Sequence, residues 1–146
     1  MTDPTTILLV EDNPDDILFW EMASSKAGLK SVVRVVRDGV EALDYLTAIP
    51  PYDDRMRHPR PTHVILDLKL PRKSGLEVLE WIREHREYRD IPVIVLTSSE
   101  EKSDVARARQ LGVTAYLVKP VSLPELVNLV RTIGERWNLE LGASAS

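Results

Sequence analysis

The sequence predicts an α/β fold in which five parallel strands alternate with five helices, (βα)5, as a doubly wound three-layer sandwich. Short β-prone apolar runs recur along the chain, beginning with TILLV at Thr6–Val10. Longer segments with helical spacing separate them. The runs are apolar at nearly every position, as strands are when helices cover both faces of a parallel sheet, and right-handed crossovers then join them.

Strand one stops at Glu11-Asp12-Asn13-Pro14, where Asn suits an N-cap and Pro the first helical position. Ile17, Trp20, Glu21, Ala23, Ser24 and Ala27, at mixed helical spacings, carry the first helix to Gly28, a C-terminal stop. Val32–Val36 is strand two, and Asp38-Gly39 punctuates it before Val40, Ala42, Leu43 and Leu46 repeat with a helical period. A loop rich in Pro and Arg leads to strand three, His63–Leu66, and Leu76, Leu79, Ile82 and Arg83 form a helical stripe after Gly75. Ile91–Leu96 predicts strand four with its helix over Glu100–Leu111. Ala115–Val118 predicts strand five, and Ser122–Trp137 the last helix. Residues 138–146 read as a tail behind a core of about residues 5–137, so residues 1–146 are expected to form one domain.

Composition bounds the chemistry. Hydrophobic residues at 43% and charged residues at 29% fit a globular chain rather than a disordered one. Without cysteine there is neither a disulfide framework nor a thiolate site. A net charge of −4 offers no bulk attraction for nucleic acid, and no apolar run reaches the roughly 18 residues of a membrane span. The start MTDPTT lacks the basic and apolar regions of a signal peptide, so a cytoplasmic location is expected, with no nucleic-acid or membrane partner.

In an open parallel sheet, ligands bind beyond the carboxyl ends of the strands where strand order reverses. Strand one ends in Glu11-Asp12, strand three in Asp67, strand four in Thr97-Ser98-Ser99 and strand five in Lys119-Pro120. With the flavodoxin-like order 2-1-3-4-5, strands one and three flank the switch point and bring three carboxylates together. Such a cluster repels itself unless a cation sits in it. Oxygen donors without His or Cys select Mg²⁺, with Mn²⁺ able to substitute. Lys119 can pair with an anionic phosphoryl group and Thr97 can donate a hydrogen bond to it, which leaves Asp67 as a nucleophile able to form an acyl phosphate.

Four motifs in order carry a resemblance: VEDN at Val10–Asn13, LDLKLPRKSG at Leu66–Gly75, TSS at Thr97–Ser99 and YLVKP at Tyr116–Pro120. Together they resemble the receiver domain of two-component response regulators, over about residues 5–137. The resemblance implies a stand-alone regulator, not an enzyme acting on other substrates. Asp67 would take a phosphoryl group from a sensor histidine kinase, and the metal ligands would be Glu11, Asp12, Asp67 and the main-chain carbonyl of Lys69. Thr97 would be the switch hydroxyl, Lys119 the phosphoryl-pairing cation and Tyr116 the aromatic switch. Lys119-Pro120 would be cis, and phosphorylation would remodel the face made by helix four, strand five and helix five. The EDNPDD start, the DLKLPRKSG stretch and the long loop before strand three look most like regulators paired with phytochrome-type kinases.

Plainer roles compete at several positions. Asp15 and Asp16 read as charges favoured by the helix dipole, and Ser98 or Ser99 as the cap of helix four. Arg55, Arg57, His58 and Arg60 in the loop Pro50–Pro61 form a basic patch that would meet a kinase or a second copy of the chain. Trp137 and Leu139, at the domain edge, are expected to be exposed and to support a homodimer through the C-terminal helix. The rival functions are a receiver-like module that is not phosphorylated and an aspartyl phosphatase. Lys at position 69 does not fit the Asp-x-Asp pair of the latter. No GxxxxGK[ST] loop or GxGxxG turn supports nucleotide chemistry.

Overall fold

The computed structural model describes residues 5–142. The alternation runs β1 (Thr6–Val10), α1 (Pro14–Ala27), β2 (Val32–Val36), α2 (Gly39–Leu46), β3 (His63–Leu66), α3 (Gly75–Glu84), β4 (Val93–Thr97), α4 (Lys102–Gln110), β5 (Ala115–Val118), α5 (Leu123–Arg136). All strand pairs are parallel and the order is β2-β1-β3-β4-β5, as expected.

Alternation of side chains along each strand divides the core into two layers. Leu8, Val10, Val64, Leu66, Val93 and Val95 face α2, α3 and α4, packing on Ala42, Leu46, Val78, Leu79, Ile82 and Ala108. Ile7, Leu9, Ile65, Ile94 and Leu96 face α1 and α5, packing on Trp20, Ala23, Ala27, Leu126, Val130 and Ile133. Each fully buried aliphatic side chain contributes about 1.5–3 kcal/mol. The central strands β1, β3 and β4 are therefore rigid supports for whatever follows their carboxyl ends.

The caps follow local chemistry. Asn13 Oδ1 accepts from the N–H groups of Asp15 and Asp16, with Pro14 opening α1, and Gly28 closes it at φ 75°. Asp38 caps α2, Ser74 and Glu77 form a reciprocal capping box on α3, and Ser122 caps α5. Helix α4 differs: Glu101 stands at its N-cap without a side-chain cap bond, and Ala108 is its one buried residue. Its anchoring is the weakest among the helices, which places it at the low-stability end of the fold. Strand β4 begins at Val93, after Pro92, which has no N–H for the ladder.

The expected tail is corrected up to Gly142. Lys30 N–H donates to Glu140 O at 3.1 Å and Gly142 N–H to Gly28 O at 2.6 Å, and Leu29 bridges Leu141. The α1–β2 connection offers these unpaired groups, and a Cβ on Gly28 would lie 2.7 Å from Gly142 O. The rest of the tail expectation, 143–146, lies outside the described residues. Leu139 is buried, and Trp137 is half-buried with its ring 4.6 Å from that of His63. Both fold back on their own domain because burial of their apolar surface against α5 and β3 is available there, so they are not the exposed edge expected of them.

Two arginines of the basic loop make contacts within the domain. Arg55 donates to the carbonyls of Tyr45, Leu46 and His58, satisfying the open end of α2, and its guanidinium lies 5.6 Å from the centre of the Tyr45 ring. Arg60 lies over Tyr88 and bonds Glu87 O.

Candidate functional site

The strands deliver their terminal residues to one place. Asp67 N–H donates to Val10 O at 3.0 Å, Glu11 N–H to Val36 O at 3.0 Å and Lys119 N–H to Thr97 O at 2.9 Å, so the ladder continues into the functional residues and fixes their backbones. Helix α3 presses from one side through Gly75, where a Cβ would meet Asp67 O at 2.2 Å and Leu68 Cα at 2.6 Å. Only glycine permits that approach.

Asp67 is 5% exposed, Glu11 4% and Thr97 0%. Thr97 Oγ1 donates to Asp67 Oδ1 at 2.7 Å, and Lys69 N–H to the same oxygen at 3.2 Å. Lys119 Nζ donates to Asp67 Oδ2 at 2.8 Å and also pairs with Glu11 Oε1 at 2.5 Å and Asp16 Oδ2 at 2.7 Å. The two Asp67 oxygens thus have different partners, a hydroxyl and a main-chain amide on one and an ammonium on the other. Burial pushes the Glu11 carboxyl up to about 7, against the pull of Lys119 and the Asn13 N–H, with the Asp67 charge adding to the rise. Burial disfavours the Lys119 charge, yet its bonds to Asp16, Asp67 and Glu11 outweigh this and hold the ammonium above its ordinary range. Lys119 is a cation under any ordinary condition.

Glu11, Asp12 and Asp67 can each offer an oxygen within 4.8 Å of the others. These are hard donors with one ammonium among several carboxylates, a set that fits a divalent cation of the Mg²⁺ or Mn²⁺ type. The sequence-predicted residues Glu11, Asp12, Asp67, Thr97 and Lys119 are therefore brought together. Tyr116 stands at the margin, half-buried, its hydroxyl donating to Ser99 O at 2.9 Å.

Three residues had other roles assigned in the sequence or none. Asp16 reads as a dipole charge, but its carboxylate reaches across 103 positions to Lys119. Ser99 is not the cap of α4: its N–H donates to Thr97 Oγ1 at 3.3 Å and its hydroxyl bonds Asp104 at 2.7 Å. The loop is drawn toward Thr97 and Tyr116, so α4 starts two residues later than expected. Asp104 also takes the Lys69 ammonium at 3.4 Å, which links the β3–α3 loop to the start of α4. The acidic run EDNPDD is the one signal pointing to Asp16; nothing local points to Ser99 or Asp104. The Lys119–Pro120 bond is not cis; the cis bond among the described residues is Pro50–Pro51.

Residues 7–131 match the response regulator receiver domain family. The probable methanogenesis regulatory protein FilR2 of Methanothrix harundinacea is 39% identical over 135 residues, covering 92% of this chain and 84% of FilR2. The Mn²⁺-bound response regulator Rcp1 superposes with a TM-score of 0.83 at 34% identity over 96% of this chain and all of that one; Rcp1 is a Synechocystis protein. The phosphorylated cyanobacterial phytochrome response regulator RcpA gives 0.83 at 35% identity, over 95% of this chain and 99% of its own. With the fold, the acidic cluster and these likenesses in agreement, the chain belongs to the response regulator receiver domain family.

Proposed function

We propose that this protein is a response regulator whose Asp67 accepts a phosphoryl group from a sensor histidine kinase of the phytochrome type in a Mg²⁺-dependent reaction. One observation carries the reading: a buried carboxylate with a hydroxyl on one oxygen and an ammonium on the other, at the switch point of a parallel sheet. The likeness to a phosphorylated phytochrome response regulator and to an Mn²⁺-bound relative supports the chemistry and the class of partner.

An Asp67 oxygen attacks phosphorus. The P–N bond of the donor phosphohistidine breaks, and its electron pair returns to the imidazole nitrogen. Lys119 balances charge on the transferred oxygens, and the Thr97 hydroxyl leaves the carboxylate to donate to the new phosphoryl group. Glu11, Asp12, Asp67 and the Lys69 carbonyl would hold Mg²⁺, or Mn²⁺ in its place, and the bound cation supplies further charge neutralisation.

Movement of Thr97 releases Ser99 N–H, and with it the loop that carries Ser99 O, the acceptor for Tyr116. The weakly anchored α4 responds, and the α4–β5–α5 face changes its population of packings. The same proposal includes a cytoplasmic location and a homodimer through the C-terminal helix and nearby face, where Val118 and Val121 are the exposed apolar side chains. Light scattering that returns a monomer mass at high concentration, with and without phosphorylation, would remove the dimer.

Intact-mass spectrometry after incubation with acetyl phosphate tests the main reading. A single Mg²⁺-dependent phosphoryl adduct, absent from Asp67→Asn, is expected. An adduct of equal yield on the variant would overturn the assignment of Asp67.

A further inference from the structure

Lys119 has three N–H donors, and all of them are in use, on Glu11, Asp16 and Asp67. Two of these acceptors have a second task. Glu11 and Asp67 belong to the set whose oxygens can share a divalent cation, and Asp67 is the carboxylate that takes the phosphoryl group in the function proposed above. Asp16 belongs to neither. A cation on Glu11 and a phosphoryl group on Asp67 both draw away the acceptors that hold the ammonium. Asp16 is the one partner left unchanged.

We propose that Asp16 is a positioning residue for phosphoryl transfer: its carboxylate anchors Lys119 while the ammonium exchanges Glu11 and Asp67 for the oxygens of the incoming phosphoryl group. The inference rests on the phosphoacceptor reading. The local structure gives Asp16 the stiffness an anchor needs. It lies in the first turn of α1, with its N–H bonded to Asn13 Oδ1 at 3.2 Å, and Pro14 opens that turn. The helix is held by Trp20, Ala23 and Ala27 in the core. Lys119, by contrast, follows β5 on a loop, at the end of a long side chain whose freedom must be removed before it can meet a reacting oxygen.

Helix-dipole stabilisation alone would not single out Asp16, because Asp15 in the same turn has the same charge. What separates them is the Lys119 bond at 2.7 Å, which Asp16 makes and Asp15 does not. Asp15 is therefore the internal control.

The experiment compares wild type, Asp16→Ala, Asp16→Asn and Asp15→Ala, each checked for its melting temperature. The rate of phosphorylation by acetyl phosphate at saturating Mg²⁺ is followed by intact mass, and the Mg²⁺ dissociation constant by tryptophan fluorescence. Expected is a rate reduced about tenfold in Asp16→Ala, the equivalent of about 1.4 kcal/mol in the barrier. Asp16→Asn should fall between Asp16→Ala and wild type because it keeps an acceptor oxygen without the charge. Mg²⁺ affinity in both should stay within about twofold of wild type, since a tenfold change would be about 1.4 kcal/mol of binding. Asp15→Ala should match wild type in both measurements. Wild-type rates in both Asp16 variants would overturn the proposal, as would a slowing traceable to weaker Mg²⁺ binding, which would make Asp16 part of the metal site. A wild-type chain that takes no phosphoryl group while binding Mg²⁺ would refute the phosphoacceptor reading, and the anchoring role with it. If Asp16→Ala fails to fold, the isosteric Asp16→Asn decides.

Discussion

Replacing Gly75 by alanine tests how closely the site depends on the packing beneath it. The added Cβ would stand 2.2 Å from the Asp67 carbonyl oxygen and 2.6 Å from Leu68 Cα, both main-chain atoms of the segment that carries the phosphoacceptor. Ordinary contact with the carbonyl oxygen requires about 1.3 Å more, judged from the ~3.5 Å optimum of non-bonded pairs. Neither atom can rotate away as a side chain could, and with Asp67 N–H bonded to Val10 O and Gly75 N–H to Leu68 O at 3.0 Å, relief requires the backbone on both sides of the contact to shift. The start of α3 and the β3–α3 loop must therefore separate.

Overpacking of this kind costs about 1–3 kcal/mol, and the backbone nature of the clash puts Gly75→Ala at the upper end. A melting temperature lower by roughly 6–12 °C follows for about 3 kcal/mol, using the ~2–4 °C per kcal/mol of chains near this size. Displacement of Asp67 by about 1 Å relative to Thr97 and Lys119 should slow phosphorylation by acetyl phosphate on the order of 100-fold. Calorimetry and intact-mass kinetics on the same preparation measure both. A Gly75→Ala protein with wild-type melting temperature and rate would show that the loop accommodates a side chain freely, and the packing argument would fail.

Lys119→Met removes the ammonium from a group of carboxylates that includes two buried ones, so the metal-free fold should lose about 3 kcal/mol; the 17% exposure of the lysine side chain places it at the low end for broken buried pairs. Mg²⁺ should restore part of this by binding the folded state, and an unchanged melting temperature in EDTA would contradict the prediction. Asp38→Ala removes the N-cap of α2, where Asp38 Oδ1 accepts from Glu41 N–H at 2.7 Å and Arg72 adds an ion pair, and should cost about 1 kcal/mol at pH 7. Burial works against the Asp38 charge, but the Glu41 N–H and Arg72 prevail and hold its carboxyl below the ordinary 3.8. The folded pKa is the lower one, so this contribution is complete above about pH 4 and lost as pH falls through the folded value. Urea titrations of both proteins at pH 7 and pH 3 should show the difference shrinking on acidification; a gap that widens would reverse the sign.

Much of this protein is legible in the sequence because its signals are local. Apolar runs mark all five strands, Asn13-Pro14 and Gly28 bound α1, and the residues after the strands, Glu11-Asp12, Asp67, Thr97 and Lys119, are those that meet in the site. A parallel sheet brings the carboxyl ends of its strands to one edge, so knowledge of where each strand stops is nearly knowledge of the site. The composition sets the broad chemistry in the same way: with no cysteine, the cluster is one of oxygen donors.

Pairings between distant segments are another matter. Asp16 and Asp15 are the same residue type in the same turn, and only the packing of α1 beside the β5–α5 loop decides which of them reaches Lys119. Ser98 and Ser99 look alike as caps, yet Ser99 is bound from Thr97, Tyr116 and Asp104. Arg55 looks like a surface charge until the open carbonyl end of α2 claims it, and Trp137 and Leu139 look exposed until His63 and the core receive them. Local propensity and periodicity determine which elements form and what stands at their ends. Which of several equivalent side chains finds a partner depends on distances set by the whole fold, and these appear only once the layers are packed.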